Sequence, residues 1–300
     1  MKKLLLLFAL SGQILFAQQI NVLSVTELPI TEKGGFFYPT FSPTGDFLLT
    51  TAVNYAGLKQ YSFTDKTVKT ITTDAGAGYG VQISADGNTI VYKKTGFVKN
   101  LRNNSLISYS RSTGKQVQLQ APTREPITPR FAANKPLFVK GKTLVRTNIA
   151  TAEVTPVICI EDQKMVLYTG SKRTVLTPNG QTYSYIWPSI SPDKKNIVYT
   201  VAGKGTFVCR IDGSNVRSIG IMNAPVWLNN QWVVGMDDKD DGEKLISSTL
   251  IAVSVDGKVR QTLSTPKGKM AMYPAASADG SRIAFNTEKG ELYLLSIQIK

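Results

Sequence analysis

The stretch that decides the fold is ISADGNTIVY at 83–92, which recurs with variations along this chain of 300 residues. Close copies are FSPTGDFLL at 41–49, ISPDKKNIVY at 190–199 and ASADGSRIAF at 276–285. The Ser, Asp and Gly residues are typical of turns, and the apolar run after them is rich in β-branched and aromatic residues. The pattern therefore predicts short β-strands joined by turns, with no helical period after the first 17 residues.

The spacing of the copies predicts how many units the chain contains. Their serines are separated by 42, 107 and 86 residues and are Ser42, Ser84, Ser191 and Ser277. The last two intervals are about double the first, so each is expected to hold one eroded copy, at 131–139 (FAANKPLFV) and 227–234 (WLNNQWVV). Six copies result. A second hairpin follows most of them, which gives four strands per unit.

Four-stranded antiparallel sheets arranged radially form a β-propeller. We therefore predict an all-β fold, a six-bladed propeller. The last copy is short, because only ELYLLSIQ at 291–298 follows it, while INVLSVTEL at 20–28 has the pattern of an additional strand. We expect this N-terminal strand to complete the last blade and close the ring, which removes an exposed sheet edge. A free N-terminal arm is the alternative.

An aromatic residue precedes each good copy, in Tyr38-Pro39, Tyr79-Gly80, Trp187-Pro188 and Tyr273-Pro274. The full pattern, aromatic-Pro-x-apolar-Ser-Pro/Ala-Asp-Gly-x-x-Ile-Val-Tyr, resembles the WD-repeat-like repeat of the TolB family of β-propellers. The resemblance covers residues 38–300 and implies six blades. TolB itself carries an N-terminal α/β domain, for which we expect no counterpart in this chain, so the resemblance does not imply a TolB role.

Residues 1–17, MKKLLLLFALSGQILFA, have the composition of a secretory signal peptide, with two lysines before an apolar run. The run is too short to span a bilayer, because Gly12 and Gln13 interrupt it. Cleavage after Ala17 would leave 18–37 as an N-terminal segment. No cysteine follows the run, so lipid attachment is not expected. We therefore expect a periplasmic or secreted protein without a transmembrane segment. The alternatives to a signal peptide at residues 1–17 are a buried helix and an uncleaved anchor.

The chain has no histidine and two cysteines. This composition excludes a Ser-His-Asp or Cys-His nucleophile pair and a four-cysteine zinc site. Oligogalacturonate lyases have a similar repeat, and that resemblance implies a manganese site with several histidines, which this chain cannot form. We therefore predict a protein that is not an enzyme. Cys159 and Cys209 either pair in an oxidising compartment or remain two separate buried thiols.

Positive charge is concentrated in one part of the chain, whose formal net charge is +14. Between residues 87 and 152 there are twelve lysines and arginines, and Glu125 is the only acid. Such charge either solvates strand faces and edges or creates a field that attracts an anionic partner. Nucleic acid is a third possibility, which the export signal argues against.

The four aromatic residues start the innermost strands and are expected at one mouth of the central channel. There they either contact a sugar or peptide or act as spacers between blades. Arg130 is expected near the same level in the third copy, and two further basic residues are expected on the basic face that the second and third blades form. The predicted contact residues are Tyr38, Tyr79, Arg130, Trp187, Tyr273, Lys140 and Arg146.

The acidic segment DDKDDGE at 237–243 is a weak candidate for calcium, through Asp237, Asp241 and Glu243. Lys239 occupies a position where a calcium loop needs an oxygen ligand. The alternative is a solvated hairpin, in which Asp-Gly is ordinary turn chemistry. No other cofactor is predicted.

Together these features predict an exported monomer that binds envelope proteins or an anionic polymer without catalysis. The alternative is a lyase or hydrolase that acts on an acidic polysaccharide through the channel mouth. That alternative requires a deep pocket in which a buried lysine or carboxylate lies beside an arginine able to bind a carboxylate.

Overall fold

The computed structural model describes residues 19–30, 34–147 and 155–300. The predicted signal peptide, 1–17, lies outside these ranges. The described residues form β-strands and one single-turn 3-10 helix, Val53–Tyr55. Among them, no helix has the length and apolar character needed to cross a bilayer.

The strands are numbered in chain order. They are β1 Ile20–Glu27, β2 Phe37–Phe41, β3 Phe47–Thr51, β4 Leu58–Ser62, β5 Val68–Thr72, β6 Gln82–Ile83, β7 Thr89–Val98, β8 Leu101–Ser110, β9 Gln116–Thr123, β10 Ile127–Ala132, β11 Lys135–Lys140, β12 Thr143–Arg146, β13 Val157–Glu161, β14 Lys164–Thr169, β15 Lys172–Leu176, β16 Tyr185–Ile190, β17 Asn196–Val201, β18 Gly205–Arg210, β19 Arg217–Gly220, β20 Asn223–Trp227, β21 Trp232–Asp240, β22 Leu245–Ser254, β23 Arg260–Thr262, β24 Met272–Ala276, β25 Arg282–Asn286 and β26 Leu292–Ile299.

These strands form seven antiparallel sheets, the blades of a β-propeller. Blades one and two are β2 to β5 and β6 to β9, and blades three and four are β10 to β12 and β13 to β15. Blades five and six are β16 to β19 and β20 to β23, and blade seven is β24 to β26 together with β1. Five blades have four strands, and blades three and four have three in the described part of the chain.

The predicted count of six blades is wrong. The interval of 107 residues between Ser84 and Ser191 spans three blade-to-blade steps of about 36 residues each, not two. Among the described residues, blades three and four each have only three strands, so both fit where one eroded copy was expected. The eroded copy at 131–139 is the hairpin of blade three. Blade four, at 157–176, has no Ser-x-Asp turn and gave no repeat signal.

The blades are packed by seven hydrophobic clusters, one at each interface between neighbours. Between blades one and two, Phe47 packs with Ile90 and Tyr92. Between blades seven and one, Leu48 packs with Ala284. Because burial of apolar surface is the main stabilising contribution, this arrangement stabilises a closed ring rather than separate sheets.

The N-terminal strand closes the ring, as the sequence predicts. β1 pairs antiparallel with β26, from Ile20 opposite Ile299 to Glu27 opposite Tyr293. Ile20 is buried in the cluster between blades six and seven, and the Tyr293 hydroxyl donates to Glu27 at 2.7 Å. The first and last strands are therefore held together in one sheet, and β1 covers the edge of β26 that would otherwise be exposed.

The recurring Ser-x-Asp turn joins the two inner strands of a blade. In blade two, the Ser84 hydroxyl donates to Asp86 at 2.5 Å and accepts from the Thr89 amide at 2.8 Å. The equivalent serines of blades five and seven make the same bonds. The Asp86 amide also donates to Asn134 in blade three at 2.9 Å. The motif recurs because a buried serine completes the turn and the turn contacts the next blade.

Candidate binding site at the channel mouth

A break in strand pairing turns aromatic side chains into the channel mouth. Tyr38, Trp187 and Tyr273 have φ values of 51°, 51° and 52°, a region that non-glycine residues seldom occupy. Each precedes a proline, and the register of the innermost strand shifts at each of them. Ala224, before Pro225 in blade six, has the same conformation. The repeat therefore encodes a bulge, a feature that re-aims side chains next to functional sites.

The sequence places Tyr79 at the same position as these three residues, and that equivalence is wrong. Tyr79 lies five residues before its repeat serine, whereas Tyr38 lies four before Ser42. Gly80 occupies the equivalent position in blade two, with φ of 69°. Tyr79 still reaches the mouth, but from one position earlier in the chain.

One side of the mouth is built from tyrosines, and we call it the aromatic cavity. It has a volume of about 250 Å³, and its lining includes Tyr38, Tyr55, Tyr273 and Trp187. The Tyr38 ring stacks on Tyr55 at 4.0 Å between centroids and packs against Tyr273 at 4.4 Å. Tyr55 comes from the 3-10 turn after β3 and has no counterpart in the repeat. Burial raises the pKa of Tyr55, so its hydroxyl is a neutral donor.

The other side is the cationic cavity, which has a volume of about 520 Å³. Its lining includes Tyr79, Lys93, Arg102, Arg130 and Trp187. Blades two and three supply the three cations, and no Asp or Glu lies among the described residues that line it. Trp187 lines both cavities, so the two sides of the mouth are continuous.

Lys93 projects from β7 over the ring of Tyr79, with 4.1 Å between Nζ and the ring centroid. Burial, together with the positive charges of Arg130 and Arg102, lowers the pKa of Lys93 to about 8. No carboxylate of the described residues forms an ion pair with Lys93 or with either arginine. Lys93 therefore keeps most of its charge near neutral pH, and the described residues supply no carboxylate partner to this cluster.

Arg130 projects from β10 and is fixed by backbone carbonyls. Its guanidinium donates to the carbonyl of Pro129 at 2.7 Å and to that of Ile158, in blade four, at 3.1 Å. Burial lowers the pKa of Arg130 from its usual value. An arginine has five N–H donors, so donors remain for a ligand in the cavity.

Glu161, which follows Ile160 of the cavity lining, already has hydrogen-bond partners. It accepts hydrogen bonds from the Tyr168 hydroxyl at 2.5 Å and from Arg173 at 2.5 and 3.1 Å. Burial is the main cause that raises the pKa of the adjacent Cys159 thiol to about 12. This thiol is protonated at neutral pH and is not a nucleophile.

The remaining predicted residues are not brought to the cavities. Lys140 lies in β11 and pairs with Glu125 at 3.1 Å, and Arg146 ends β12. Neither lines the cationic or the aromatic cavity. Cys159 and Cys209 are both free and buried, so the structure favours two separate thiols over a disulfide.

The side chains of the three calcium candidates, Asp237, Asp241 and Glu243, are not arranged as a metal site. Asp237 pairs with Arg260 at 3.2 Å, whereas Asp241 accepts the amides of Glu243 and Lys244 at 3.0 and 2.9 Å. In residues 19–30, 34–147 and 155–300, no group of three or more Cys, Asp or Glu side chains is arranged to hold a metal. The acidic segment forms the end of β21 and part of the turn that leads to β22.

Reasoning from the sequence missed Lys93, Arg102 and Tyr55. Each lies in a feature that departs from the repeat, either the long β7–β8 hairpin or the turn after β3. The only sequence signal for the two cations is the basic region between 87 and 152, which contains them.

Comparisons with known proteins establish the fold of this chain but do not assign it to a family. No known family profile matches the sequence, and no curated protein matches it. Among solved structures, the WD40 repeats of RRP9 align with a TM-score of 0.64 and 8% identity, covering 93% of this chain and all of that one. TolB from Acinetobacter baumannii aligns with a TM-score of 0.54 and 16% identity over 82% of this chain. This chain spans 58% of the TolB chain.

An oligogalacturonate lyase in complex with manganese also aligns, with a TM-score of 0.51 and 15% identity. The alignment covers 89% of this chain and 79% of the lyase. All these identities are low, so the likenesses establish a TolB-like and WD40-like β-propeller and nothing finer. The same fold carries different functions, and function must be argued from the site.

Proposed function

We propose that this protein is an exported, non-enzymatic binding module whose channel mouth takes an anionic ligand or an anionic part of a protein partner. The observation that carries the proposal is the cationic cavity, in which Lys93, Arg102 and Arg130 converge and whose described lining contains no carboxylate. Burying like charges together is costly unless a counter-charge is supplied. An anion bound there would relieve the repulsion and use the free donors of Arg130.

Two further features support this proposal. Many β-propellers act as rigid platforms for protein partners, and the neighbours in structure include WD40 repeats. The composition of residues 1–17 supports export, and N-terminal sequencing of the exported protein tests it, with Gln18 as the expected first residue.

The binding test compares two double variants with the same loss of charge. Wild-type protein should bind dextran sulfate in low salt and lose it as salt rises. Lys93→Gln/Arg130→Gln should abolish binding, whereas Lys140→Gln/Arg146→Gln should retain it. Equal loss in both variants would contradict a specific site and indicate only a basic surface.

A second candidate function rests on the lowered pKa of Lys93 beside Arg130, the pairing that a polysaccharide lyase would require. The neutral Lys93 amine would take a proton from the carbon next to a uronate carboxylate. The electron pair would form a carbon–carbon double bond as the C–O bond to the glycosidic oxygen breaks, and that oxygen would leave as a hydroxyl group after taking a proton from water. Arg130 would bind the carboxylate.

Ultraviolet absorbance of an unsaturated product, after incubation with polygalacturonate, tests this reaction. A signal that Lys93→Gln abolishes would establish the lyase. If the wild type gives no absorbance signal, or if the signal persists in Lys93→Gln, the lyase hypothesis is wrong and the binding module remains the proposed function.

A further inference from the structure

The β7–β8 hairpin extends the wall of the cationic cavity beyond blade two. In the described part of the chain, β6 pairs with β7 only at Val91 and Ile90, and β9 pairs with β8 only from Asn104 onward. The rest of β7 and β8 pair only with each other and form a two-stranded ribbon that extends beyond the other strands of blade two. Lys93, Thr95, Arg102 and Asn104 all line the cavity, so one face of this ribbon is the cavity wall.

Phe97 continues the same face outward. It lies two residues beyond Thr95 and directly opposite Arg102, and cross-strand partners share a face of a ribbon. Its side chain is 73% exposed. From Lys93 to Phe97 the strand rises about 13 Å. A wall of this length is longer than one inorganic anion requires and presents charge and ring surface in succession.

Ring faces and neutral polar groups lie between the cations. Trp187 is 44% exposed and Tyr79 is 58% exposed, both at the cationic cavity. The Thr95 hydroxyl donates to the Asn104 side-chain oxygen at 2.8 Å, which leaves the Asn104 amide group free to donate. Aromatic faces suit apolar ring surfaces, while amides and hydroxyls suit hydroxyl groups. A simple inorganic anion would contact only the lysine and arginine side chains and would leave the ring faces and the amide group without a partner.

We propose that the ligand of this mouth is an acidic sugar chain, bound along the β7–β8 ribbon. Its charged groups contact Arg130, Lys93 and Arg102, and its rings pack on Trp187, Tyr79 and Phe97. This inference rests on the proposed function and adds the chemical class of the ligand. Carboxylated and sulfated sugars share the required chemistry, and the experiment includes both.

Binding is measured by isothermal titration calorimetry and by tryptophan fluorescence. The probes are tetragalacturonate, a sulfated tetrasaccharide, the galacturonate monosaccharide, a neutral galactose tetrasaccharide, tetraglutamate and inorganic sulfate. Trp187 is an exposed tryptophan at the mouth, whereas Trp232 is 1% exposed, so Trp187 should report binding. At least one charged tetrasaccharide should bind ten times more tightly than the monosaccharide and than sulfate. The neutral chain should not bind.

Variants separate the ring contacts from the charge contacts. Trp187→Ala should weaken the charged tetrasaccharide about tenfold and sulfate less than twofold. Phe97→Ser should weaken the tetrasaccharide about threefold. Val117→Ser is the matched control, because Val117 is an exposed apolar residue of β9 in the same blade and outside both cavities. It should change neither affinity. Thermal unfolding of each variant shows whether it has folded.

Two results would overturn the sugar chain while leaving anion binding intact. One is sulfate or the monosaccharide binding as tightly as both charged tetrasaccharides. The other is tetraglutamate binding more tightly than either, which would indicate an acidic peptide. Failure of every anion to bind would overturn the proposed function as well.

Discussion

The aromatic cavity and the cationic cavity share one channel mouth but arise from different parts of the sequence pattern. Tyr38, Trp187 and Tyr273 occupy a position that the repeat creates in blade after blade, by a bulge before a proline. Lys93, Arg102 and Arg130 occupy positions where the pattern fails, in an elongated hairpin and in a blade that has three strands among the described residues. The comparison indicates that the repeat builds a scaffold, whereas departures from it create the chemistry that distinguishes this chain.

The largest expected effect comes from Arg130→Gln. Binding of the charged tetrasaccharide should fall about 10- to 100-fold, because a hydrogen bond to a charged group contributes about 1.5–3 kcal/mol. Calorimetry measures the loss. Since the same guanidinium also bonds two backbone carbonyls, thermal unfolding and the Arg130→Lys variant serve as controls. An unchanged affinity would show that Arg130 acts only in joining blades three and four.

A smaller effect is expected from raising the pH. The pKa of Lys93 is about 8, below its ordinary value of 10.5, so the folded protein loses this proton as the pH rises past 8. Affinity for the charged tetrasaccharide should fall about tenfold between pH 7 and 9.5, as one cation is neutralised. Lys93→Gln should remove most of this dependence.

The lowered pKa of Lys93 also predicts the direction in which the free energy of unfolding changes with pH. In the free protein, the unfolded chain binds more protons than the folded chain between about pH 8 and 10.5. Lys93 should therefore make folding more favourable as the pH rises through that window. A wild-type profile that matches that of Lys93→Gln, in either stability or binding, would show that Lys93 is not the group that titrates.

Tyr38→Ala should affect stability more than affinity. It removes the stacking on Tyr55 and the contact with Tyr273, and aromatic pairs contribute about 0.5–1.5 kcal/mol each beyond area burial. We expect the free energy of unfolding to fall by about 1–3 kcal/mol, measured in urea, and the affinity for sulfate to change less than twofold. A large loss of sulfate affinity would show that the two cavities are not separate in function.

The smallest effect is expected from Lys140→Gln on the outer surface. Lys140 already pairs with Glu125 and lies outside both cavities, and exposed ion pairs contribute little. Affinity for the charged tetrasaccharide should change less than twofold. A tenfold loss would move the binding surface from the mouth to the basic face that the sequence predicts.

The fold was largely predictable because the turn that builds it is local. Ser84 bonds Asp86, two residues later, and the amide of Thr89, five residues later. Because these partners are close in the chain, the turn can be recognised from the sequence of a single copy. The closing strand was predictable from an unpaired last blade. Blade four was not, because its 157–176 segment forms its hairpins without that turn, and so the count of blades was wrong.

The site was only partly predictable. The bulge residues of blades one, five and seven share a sequence signature, an aromatic residue followed by proline. Blade two lacks this signature and has Gly80 at the bulge position, so the sequence alignment placed Tyr79 there, one residue out of register. The convergence of Lys93 with Arg130 depends on packing between blades two and three, which spacing along the chain does not reveal. Local charge alone does not show which basic residues reach the mouth, because Lys140 and Arg146 lie in the same basic region and outside both cavities.

The most direct test of the anion site is a crystal of this protein soaked in selenate, whose anomalous scattering locates the ion. The account predicts an ordered selenate within hydrogen-bonding distance of Arg130 and Lys93, in the cationic cavity. Selenate ordered only on outer lysines such as Lys140, with none in the cavity, would contradict it.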